Sequence, residues 1–423
     1  MPGALGSLPM AAPPVDPALC VRCKGGRNLC GKPCYLMQDI QAHIPQVRLD
    51  RPEVQGPSPP GVFVGRHGYP KVNLGPLVPP LSLEARDLAR MADSTAWYGH
   101  SINELVAQRS TLVLGRRDFS VHAARDPGRI LQSTQEIALS DRAVDTELRL
   151  ARVPARALGP TLGDTVPPMG PALEATRARL GENPHVPRAV DRLVGDTDAK
   201  AATALTELAT TSVTVDHMQR LLSLGLLGTA ERRKLVPTRW SITAVDDTLG
   251  KALLPKVKDL PELGTIHYHR ASYNGNHFQV LLLPRPWGFD MQETWHAGSM
   301  WAPTTQTAVD FEEYSGRTGY ASNITGAYYA GRLAVLEHLV GIGRQATVIV
   351  VREITDEYWA PLGVWLIRET MRHAMQNRPL VFDDLAAAVR HVTRFSRVQG
   401  WKENSHFLGG VYQATLGEFA TAT

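Results

Sequence analysis

Residues 228–247 read GTAERRKLVPTRWSITAVDD and combine cationic, aromatic and acidic side chains in one short stretch. Before them, residues 201–209 (AATALTELA) and 216–222 (DHMQRLL) carry apolar residues at helical spacing, and residues 210–214 (TTSVT) predict a turn. Two short helices, a turn and a strand-like basic run that contains Pro237 are compatible with a winged helix-turn-helix. The alternative is an ordinary helical hairpin that packs on a sheet and carries a solvated basic loop.

The basic part of this stretch is the first candidate for contact with DNA. In a winged helix-turn-helix the second helix enters a DNA groove, and the basic segment meets the phosphates. The predicted DNA-binding residues of this stretch are Arg232, Arg233, Lys234, Arg239 and Trp240. Its other end is the acidic pair Asp246 and Asp247, which either takes part in chemistry or caps a helix that starts at Thr248.

The composition is that of a folded protein. The chain has 423 residues, of which 43% are hydrophobic and 20% are charged. This length predicts two to three domains, and this composition excludes a wholly disordered protein. The net charge of +4 permits nucleic-acid binding without requiring it. No uninterrupted apolar run approaches the ~18 residues of a membrane helix, so we expect a soluble protein of the cytoplasm that associates with the nucleoid and not with membranes.

All four cysteines fall within one short segment. Residues 20–34 read CVRCKGGRNLCGKPC, in the pattern Cys-x2-Cys-x6-Cys-x3-Cys. Two thiolate pairs at this spacing predict a tetrahedral, structural Zn²⁺ site, whereas redox-active thiols and an iron-sulfur cluster are the alternatives. The predicted metal ligands are Cys20, Cys23, Cys30 and Cys34. The cations between them, Lys24, Arg27 and Lys32, either contact phosphate or are solvated loop charges.

Proline-rich segments and cysteine placement divide the chain. We predict a flexible tail over residues 1–18, a zinc-binding module over 19–44 and a linker over 45–60. A body that carries the basic segment follows over 61–260, then a C-terminal α+β part over 261–410 and a tail peptide over 411–423. The predicted fold class is therefore α+β, a mixed helix and sheet body behind a small zinc module, with a winged-helix-like element in the middle.

A second irregular stretch covers residues 61–80, GVFVGRHGYPKVNLGPLVPP. A short apolar strand runs into glycines and into Arg66, Tyr69 and Lys71, which we predict to bind DNA. Glycine lets the backbone approach a ligand closely, and cations beside an aromatic ring suit a sugar-phosphate chain or a nucleotide. The alternative is a structural corner held by glycine and proline.

The C-terminal part predicts a hairpin. Residues 264–270 (GTIHYHR) and 276–283 (NHFQVLLL) have strand patterns and are joined by a Tyr-Asn-Gly turn. His267 and His269 would share one face of the first strand, a spacing compatible with metal ligation or acid/base work, or with ordinary structural histidines. Further along, residues 324–340 and 361–376 predict helices, and residues 346–354 predict a buried strand. A capping box at residues 133–136 (STQE) predicts the start of a helix that continues towards Arg152.

The final residues, GGVYQATLGEFATAT, place Gln413, Leu416 and Phe419 at i, i+3 and i+6. One helical turn then sets an apolar plug beside a glutamine that can bond a partner. This is the form of a peptide that docks on a sliding clamp.

Several long blocks together resemble the Nre family of archaeal DNA-repair proteins over nearly the whole chain. Besides the cysteine cluster, they are VFVGRHGYPKVNLGPL, STQEIALS with VDTEL, LLGTAERRKLVPTRWSITAVDDTLGKALL, NHFQVLLLPRPWGFDM, and YYAGRLAVLEHL with REITDEYWAPLGVW. The resemblance implies a role in DNA repair and a C-terminal peptide that docks on the PCNA clamp. The Pro- and Ala-rich composition is also compatible with a bacterial or viral source, where another sliding clamp would replace PCNA. Here Ala420 stands where a second aromatic residue would complete the plug.

Two functions remain as alternatives. The first is a DNA-repair factor that binds DNA through the basic and aromatic segments. The second is a metal- or nucleotide-dependent enzyme that acts on DNA, either a nuclease or a base- or nucleotide-modifying enzyme. Its catalytic candidates are Asp246, Asp247, His267 and His269, and Glu293 or Glu312 would help the aspartates to bind Mg²⁺.

Overall fold

Thirteen α-helices and twelve β-strands form the regular structure of the part of the chain that the computed structural model describes, namely residues 15–24, 28–32, 34–42, 44, 46–80, 85–163 and 165–409. The helices are α1 (Pro17–Cys23), α2 (Tyr35–Ala42), α3 (Ala85–Ala92), α4 (Ile102–Arg109), α5 (Arg129–Leu139), α6 (Arg188–Gly195), α7 (Ala201–Leu208), α8 (Val215–Ser223), α9 (Thr238–Lys258), α10 (Gly326–Ile342), α11 (Trp365–Gln376), α12 (Leu385–Phe395) and α13 (Trp401–Asn404). The strands are β1 (Glu53–Ser58), β2 (Val62–Val64), β3 (Lys71–Val78), β4 (Val113–Ser120), β5 (Val144–Leu150), β6 (Ala172–Leu180), β7 (Ile266–Tyr273), β8 (Asn276–Leu283), β9 (Gly288–Trp295), β10 (Gln306–Glu312), β11 (Thr347–Ile354) and β12 (Leu380–Phe382).

The first sheet has the strand order β1-β5-β6-β4-β3-β2. All its neighbouring pairs are antiparallel except β4 and β6, which run parallel. Strands β3 and β4 keep one register on both sides of Gly75, which passes so close to β4 that a Cβ atom would lie 1.6 Å from the carbonyl oxygen of Gly115. Only glycine fits there. Helices α5 and α8 pack against this sheet, and their apolar residues join those of β2 and β3 in one buried cluster.

The second sheet has the order β10-β9-β11-β8-β7-β12, with β11 parallel to β9 and the other pairs antiparallel. Alternate residues of a strand face opposite sides of a sheet, and helices cover both faces of this one. Val280 and Leu282 belong to the cluster that includes α10 and α11, whereas Leu281 and Leu283 pack with α12 and α13. The sheet is therefore a buried middle layer.

The hairpin prediction is confirmed. Strands β7 and β8 pair from Tyr273 with Asn276, and Asn274 (φ 47°) and Gly275 (φ 70°) form the turn between them. Positive φ at both turn positions matches the twist of the flanking strands. Helix α10 and strand β11 also form close to their predicted bounds, whereas α11 begins at Trp365, four residues after the predicted start at Pro361.

Helix α9 lies between the helices that follow the first sheet and helix α10, which packs on the second sheet. It packs against α7 and α8 on one side and against α10 on the other, and its buried face includes Ile242, Val245 and Leu249. The mixed α+β class is thus confirmed.

Two local predictions are wrong, and one predicted boundary differs. Residues 53–58 of the predicted linker form the edge strand β1, which tolerates Pro57 because an edge residue does not need its N–H for pairing. The predicted capping box lies inside α5, which starts at Arg129 without a side-chain cap and ends at Leu139, and β5 occupies the residues that follow. Helix α1 begins at Pro17, inside the predicted tail.

The winged helix is not confirmed. Helices α7 and α8 form, but the basic run after them is a single 3-10 turn (Ala230–Arg232) that leads into α9. In the described chain the next strand after α8 is β7, so no wing follows the helix pair. Among the described residues, none of the helices has the length and apolar character that a membrane span requires.

Candidate nucleic-acid interface

A groove with a volume of about 600 Å³ runs between the cysteine module and the first sheet. Separate parts of the chain form its walls: the turn around Lys32, the loop after β2, strand β4, residues 161–163 with 165–166, the start of β6 and the first turn of α9. The groove therefore exists only in the folded protein.

The groove is cationic. Lys32, Arg66, Arg116 and Arg239 line it together with His67, and no aspartate or glutamate is among the described residues of its wall. Like charges around one concave surface concentrate positive potential and attract anions. Helix α9 starts at this wall with no acidic residue in its first turn, so its N-terminal partial charge has the same sign.

The loop between β2 and β3 is shaped by two glycines. A Cβ atom at Gly65 would lie 2.6 Å from Oδ1 of Asn73, and Gly68 has φ +85°. Hydrogen bonds from the Gly65 N–H to the Asn73 carbonyl (2.7 Å) and from the Lys71 N–H to the Gly68 carbonyl (2.9 Å) close the loop. Arg66 and His67 of this loop line the groove.

Two exposed aromatic rings belong to the segments that supply Arg66 and Arg239, although neither ring lines the groove. The rings of Tyr69 and Trp240 are 5.0 Å apart with an interplanar angle of 55°, and the two residues are 49% and 43% exposed. The Val64 N–H donates to Oγ1 of Thr238 (2.9 Å), which ties β2 to the start of α9. Exposed rings beside cations can stack unpaired bases. The two predicted DNA-binding segments thus meet in the fold.

The other predicted DNA-binding residues divide into two groups. Arg232 and Lys234 are exposed, and Lys71 is exposed beside Asp118, with 3.5 Å between Nζ and Oδ2. Arg233 has a structural position, because Nε donates to the Gly228 carbonyl (2.9 Å) and a terminal nitrogen donates to a carbonyl of α6 (2.7 Å). Sequence reasoning missed Arg116, whose only signal was its position in a strand next to a second arginine.

The cysteine module closes one end of this region. All four cysteines line one cavity of about 240 Å³ together with Trp301. The Leu29 N–H donates a hydrogen bond to Sγ of Cys23, with 3.5 Å between nitrogen and sulfur. Lys32 and Cys34 line both this cavity and the groove, so the module is also a wall of the groove. Arg27 lies outside the described residues.

The four thiols influence one another. Burial raises the pKa of the Cys20 thiol, and the charges of the other three cysteines raise it further. Burial also raises the pKa of Cys34, against backbone hydrogen bonds that lower it. Within the described residues, no group of three or more Cys, His, Asp and Glu side chains converges closely enough to hold a metal ion. The donor set of four sulfurs around one cavity still has the composition that Zn²⁺ prefers.

Lys24 fastens this module to the second sheet. It is 5% exposed, and Nζ contacts Oε2 of Glu293 at 2.5 Å. Arg352 bonds the other oxygen of Glu293 and also Oδ1 of Asn276. Burial by itself would raise the pKa of Glu293, but Lys24 and Arg352 hold it below its ordinary value. Sequence reasoning missed this ion pair because its partners are 269 residues apart.

The acidic catalytic candidates lie in ion pairs. Asp246 is fully buried and accepts two hydrogen bonds from Arg368, at 2.8 and 3.0 Å. Asp247 contacts Lys251 at 2.6 Å. Both lie inside α9, so the interpretation as a cap for a helix at Thr248 is wrong.

The two glutamates that were proposed to help bind Mg²⁺ are also buried in ion pairs. Glu312 accepts from Nε of Arg332 (2.8 Å) and from the indole N–H of Trp287 (3.0 Å), and Glu293 is held as described above. Magnesium prefers carboxylate oxygens that keep water and phosphate in their shell. Buried carboxylates already neutralised by arginine or lysine do not fit a Mg²⁺ site.

His267 and His269 lie on β7 of the second sheet, with ring centroids 6.4 Å apart. Burial lowers the pKa of both. Nδ1 of His269 lies 3.1 Å from the Ala374 carbonyl. Neither residue lines the groove. Gln413, Leu416 and Phe419, the predicted clamp-binding residues, lie outside the described residues.

Comparison with known proteins identifies the family. The model "Archaeal Nre, N-terminal" matches residues 29–302, and "Archaeal Nre, C-terminal" matches residues 312–419. The chain belongs to the Nre family. The resemblance stated from the sequence is thereby confirmed, and the N-terminal Nre match contains most of the groove.

Three Nre relatives are similar over most of their length. A protein of Haloferax volcanii named DNA repair protein NreA is 41% identical over 343 residues, which is 79% of this chain and 81% of that protein. In Archaeoglobus fulgidus, DNA repair protein NreB is 37% identical over 408 residues (95% and 99%), and DNA repair protein NreA is 36% identical over 385 residues (90% and 95%). No solved structure matches the chain.

Proposed function

We propose that this Nre chain is a DNA-repair factor that binds DNA in the groove between the cysteine module and the first sheet. The role in repair is supported by the names of the three relatives. The observation that carries the DNA contact is a groove lined by Arg66, Arg116 and Arg239. The segments that supply Arg66 and Arg239 also carry the exposed rings of Tyr69 and Trp240, which contact each other. Association with the nucleoid would follow from that contact.

The groove offers two kinds of contact. Guanidinium and ammonium groups take phosphates, and each neutralised phosphate releases counterions and makes binding salt-dependent. The two rings offer flat faces to bases, and stacking contributes roughly 1–3 kcal/mol for each base. Because a base in a duplex is already stacked on its neighbours, we expect the rings to engage unpaired bases.

We propose in addition that Cys20, Cys23, Cys30 and Cys34 hold a structural Zn²⁺. Bound zinc would fix the module that carries Lys32 at the groove and would relieve the repulsion between the four thiolates. Metal analysis of the purified protein should give about one zinc per chain, and Cys23→Ser should lower that content. A metal-free protein with four reactive thiols, or one with the visible absorbance of an iron-sulfur cluster, would contradict zinc.

The clamp contact remains a proposal from the sequence alone. Gln413, Leu416 and Phe419 supply a glutamine and two apolar groups, while Ala420 shortens the plug. We expect Ala420→Phe to tighten binding to a PCNA-type ring about tenfold or more, because a buried aromatic residue is the usual anchor of such an interface.

A nuclease built on the acidic candidates is the weaker alternative. Asp246 and Glu293 are buried in ion pairs, and neither lines the groove. Catalysis that uses other residues is a separate question, which product analysis in the binding experiment addresses.

The experiment is fluorescence anisotropy with labelled single-stranded and duplex oligonucleotides over a series of salt concentrations. We expect Arg66→Ala with Arg239→Ala to weaken binding about tenfold or more and to reduce the slope of log K against log salt by about one to two. The matched control is Arg390→Ala with Arg394→Ala, which removes two exposed charges from α12 in the C-terminal half.

The control decides how the result is interpreted. Equal losses of DNA affinity in both double variants would show that only the overall charge matters and would refute DNA binding in the groove. No salt-dependent binding by the unaltered protein would refute direct DNA binding. A new oligonucleotide product in the same samples would support the alternative that the protein is an enzyme acting on DNA.

A further inference from the structure

A second cavity, with a volume of about 560 Å³, lies beside the N-terminus of α8. The loop after α5, the turn before α8 and the residue that precedes the 3-10 turn Ser94–Trp97 contribute to its wall. Among the described residues, none lines both this cavity and the groove. Its volume falls within the range of about 300–1,000 Å³ that is usual for small-ligand sites.

His217 is a buried acceptor in this wall. The residue is 3% exposed, and within the described residues its Nε2 atom has no hydrogen-bond partner. Burial and the charge of Arg220 lower the pKa of His217 to about 3, against backbone hydrogen bonds to Ala138 and Leu139 that raise it. The ring is therefore neutral, with one nitrogen donating to the backbone and Nε2 left to accept. A buried polar atom without a partner costs free energy, which a ligand N–H would recover.

The charges of this cavity are balanced. Asp93, Asp141, Arg142 and Arg220 all line it. Asp141 lies 2.7 Å from Nδ1 of His185, and Arg220 donates to the Ser140 carbonyl at 3.3 Å. Burial and the nearby Asp216 raise the pKa of Asp93, which caps the 3-10 turn by accepting from the Thr95 N–H at 3.0 Å. The groove, in contrast, has four cations and no carboxylate among its described residues. A polyanion suits the groove, and an uncharged polar ligand suits the cavity.

The rest of the wall is mostly apolar. Leu88, Ala143, Pro187 and Val213 supply the apolar surface, and Ser212 and Thr214 add two hydroxyl groups. Apolar surface with a few convergent donors and acceptors is the usual lining for a flat heterocycle. Among such ligands, guanine has adjacent N–H and amino donors on one edge and acceptors on the other, which match carboxylate and imidazole acceptors and guanidinium donors.

We propose that this cavity binds a free nucleobase or nucleoside that carries an exocyclic amino group, with guanosine preferred. His217 and Asp93 accept from its amino edge, and Arg142 donates to its oxygen and nitrogen acceptors. The proposal does not rest on DNA binding in the groove.

The test is ligand-observed NMR and calorimetric titration of the full chain with guanosine, uridine and L-glutamine. We expect guanosine to bind, and uridine to bind about tenfold or more weakly, because it lacks the amino group. His217→Phe keeps a flat ring without the acceptor and should weaken guanosine about tenfold or more. Asp93→Asn keeps the cap, should fold normally and should weaken guanosine as well. Asp198→Asn, an exposed carboxylate outside the cavity, is the matched control and should change nothing.

Each other outcome overturns the proposal. No binding of guanosine at millimolar concentration refutes it. Equal affinity in Asp93→Asn and in the control also refutes it, even if His217→Phe fails to fold. Binding of L-glutamine in place of guanosine assigns the cavity to a zwitterion. Loss of guanosine binding in the Arg66→Ala, Arg239→Ala variant assigns the nucleoside to the groove instead, so this test and the DNA test fail independently.

Discussion

Replacing Lys24 by methionine tests whether the cysteine module is held by one buried ion pair. Methionine keeps an unbranched side chain of similar length but removes the ammonium from the 0% exposed carboxylate of Glu293. Removing one partner of a buried pair costs about 3–5 kcal/mol. Arg352 remains on the other carboxylate oxygen, so we expect the lower end, about 3 kcal/mol.

The assay is urea unfolding followed by tryptophan fluorescence, together with the rate at which a thiol reagent labels the four cysteines. Lys24→Met should lower the free energy of unfolding and speed labelling, because α1 then loses its anchor. The matched control is Lys32→Met, which removes an exposed lysine of the same module. Equal stability and labelling in the two variants would refute the anchoring argument.

The same variant has a pH signature. The pKa of Glu293 lies below its ordinary value of 4.5, with Lys24 the larger of the two cationic causes. A lowered carboxyl pKa contributes stability that is present above the unfolded pKa and is lost as the pH falls through the folded value. The difference in stability between the unaltered protein and Lys24→Met should therefore shrink below about pH 4.5.

Three further predictions concern single residues. Asp246→Ala leaves Arg368 buried without the carboxylate that accepts two hydrogen bonds from one of its terminal nitrogens, and should cost about 3–5 kcal/mol in urea unfolding. Asp247→Ala should cost less than about 1 kcal/mol, and equal costs would contradict the assignment. Burial raises the pKa of Asp290 from 3.8 to about 6, so this carboxyl loses native-state stability as the pH rises from about 4 to about 6. The advantage of Asp290→Asn in unfolding should therefore grow by on the order of 2–3 kcal/mol between pH 4 and 7; a constant difference would show that the carboxyl is not perturbed. Trp240→Ala should weaken single-stranded DNA binding about 5- to 100-fold with little change in melting temperature, because the residue is 43% exposed, and unchanged affinity would remove the stacking contact.

Local patterns predicted the parts of the fold that depend on neighbours in sequence. The β7–β8 hairpin was predictable because apolar strand patterns flank an Asn-Gly turn. The start of α5 was not predictable, because Gly128 provides no side-chain cap and a better capping pattern, residues 133–136, lies inside the helix. The start of α9 was hidden in a basic run that contains Pro237, which suits a helix N-terminus as well as a strand.

The candidate site was predicted only in pieces. The sequence singled out Tyr69 and Trp240 in separate segments, and only tertiary structure brings their rings to 5.0 Å. The carboxylate of Asp246 looked chemically available, yet its partner Arg368 is 122 residues away. His217 gave no signal, since one histidine in an amphipathic helix does not show whether its nitrogen is satisfied.

The most direct test of DNA binding in the groove is photocrosslinking of the full chain to a single strand that carries bromodeoxyuridine, followed by mass spectrometry of the linked peptides. The account predicts cross-links at Tyr69 and Trp240, competed by unlabelled single strand and lost at high salt. Cross-links concentrated on α12, or spread over the surface without a peak at these two rings, would contradict it.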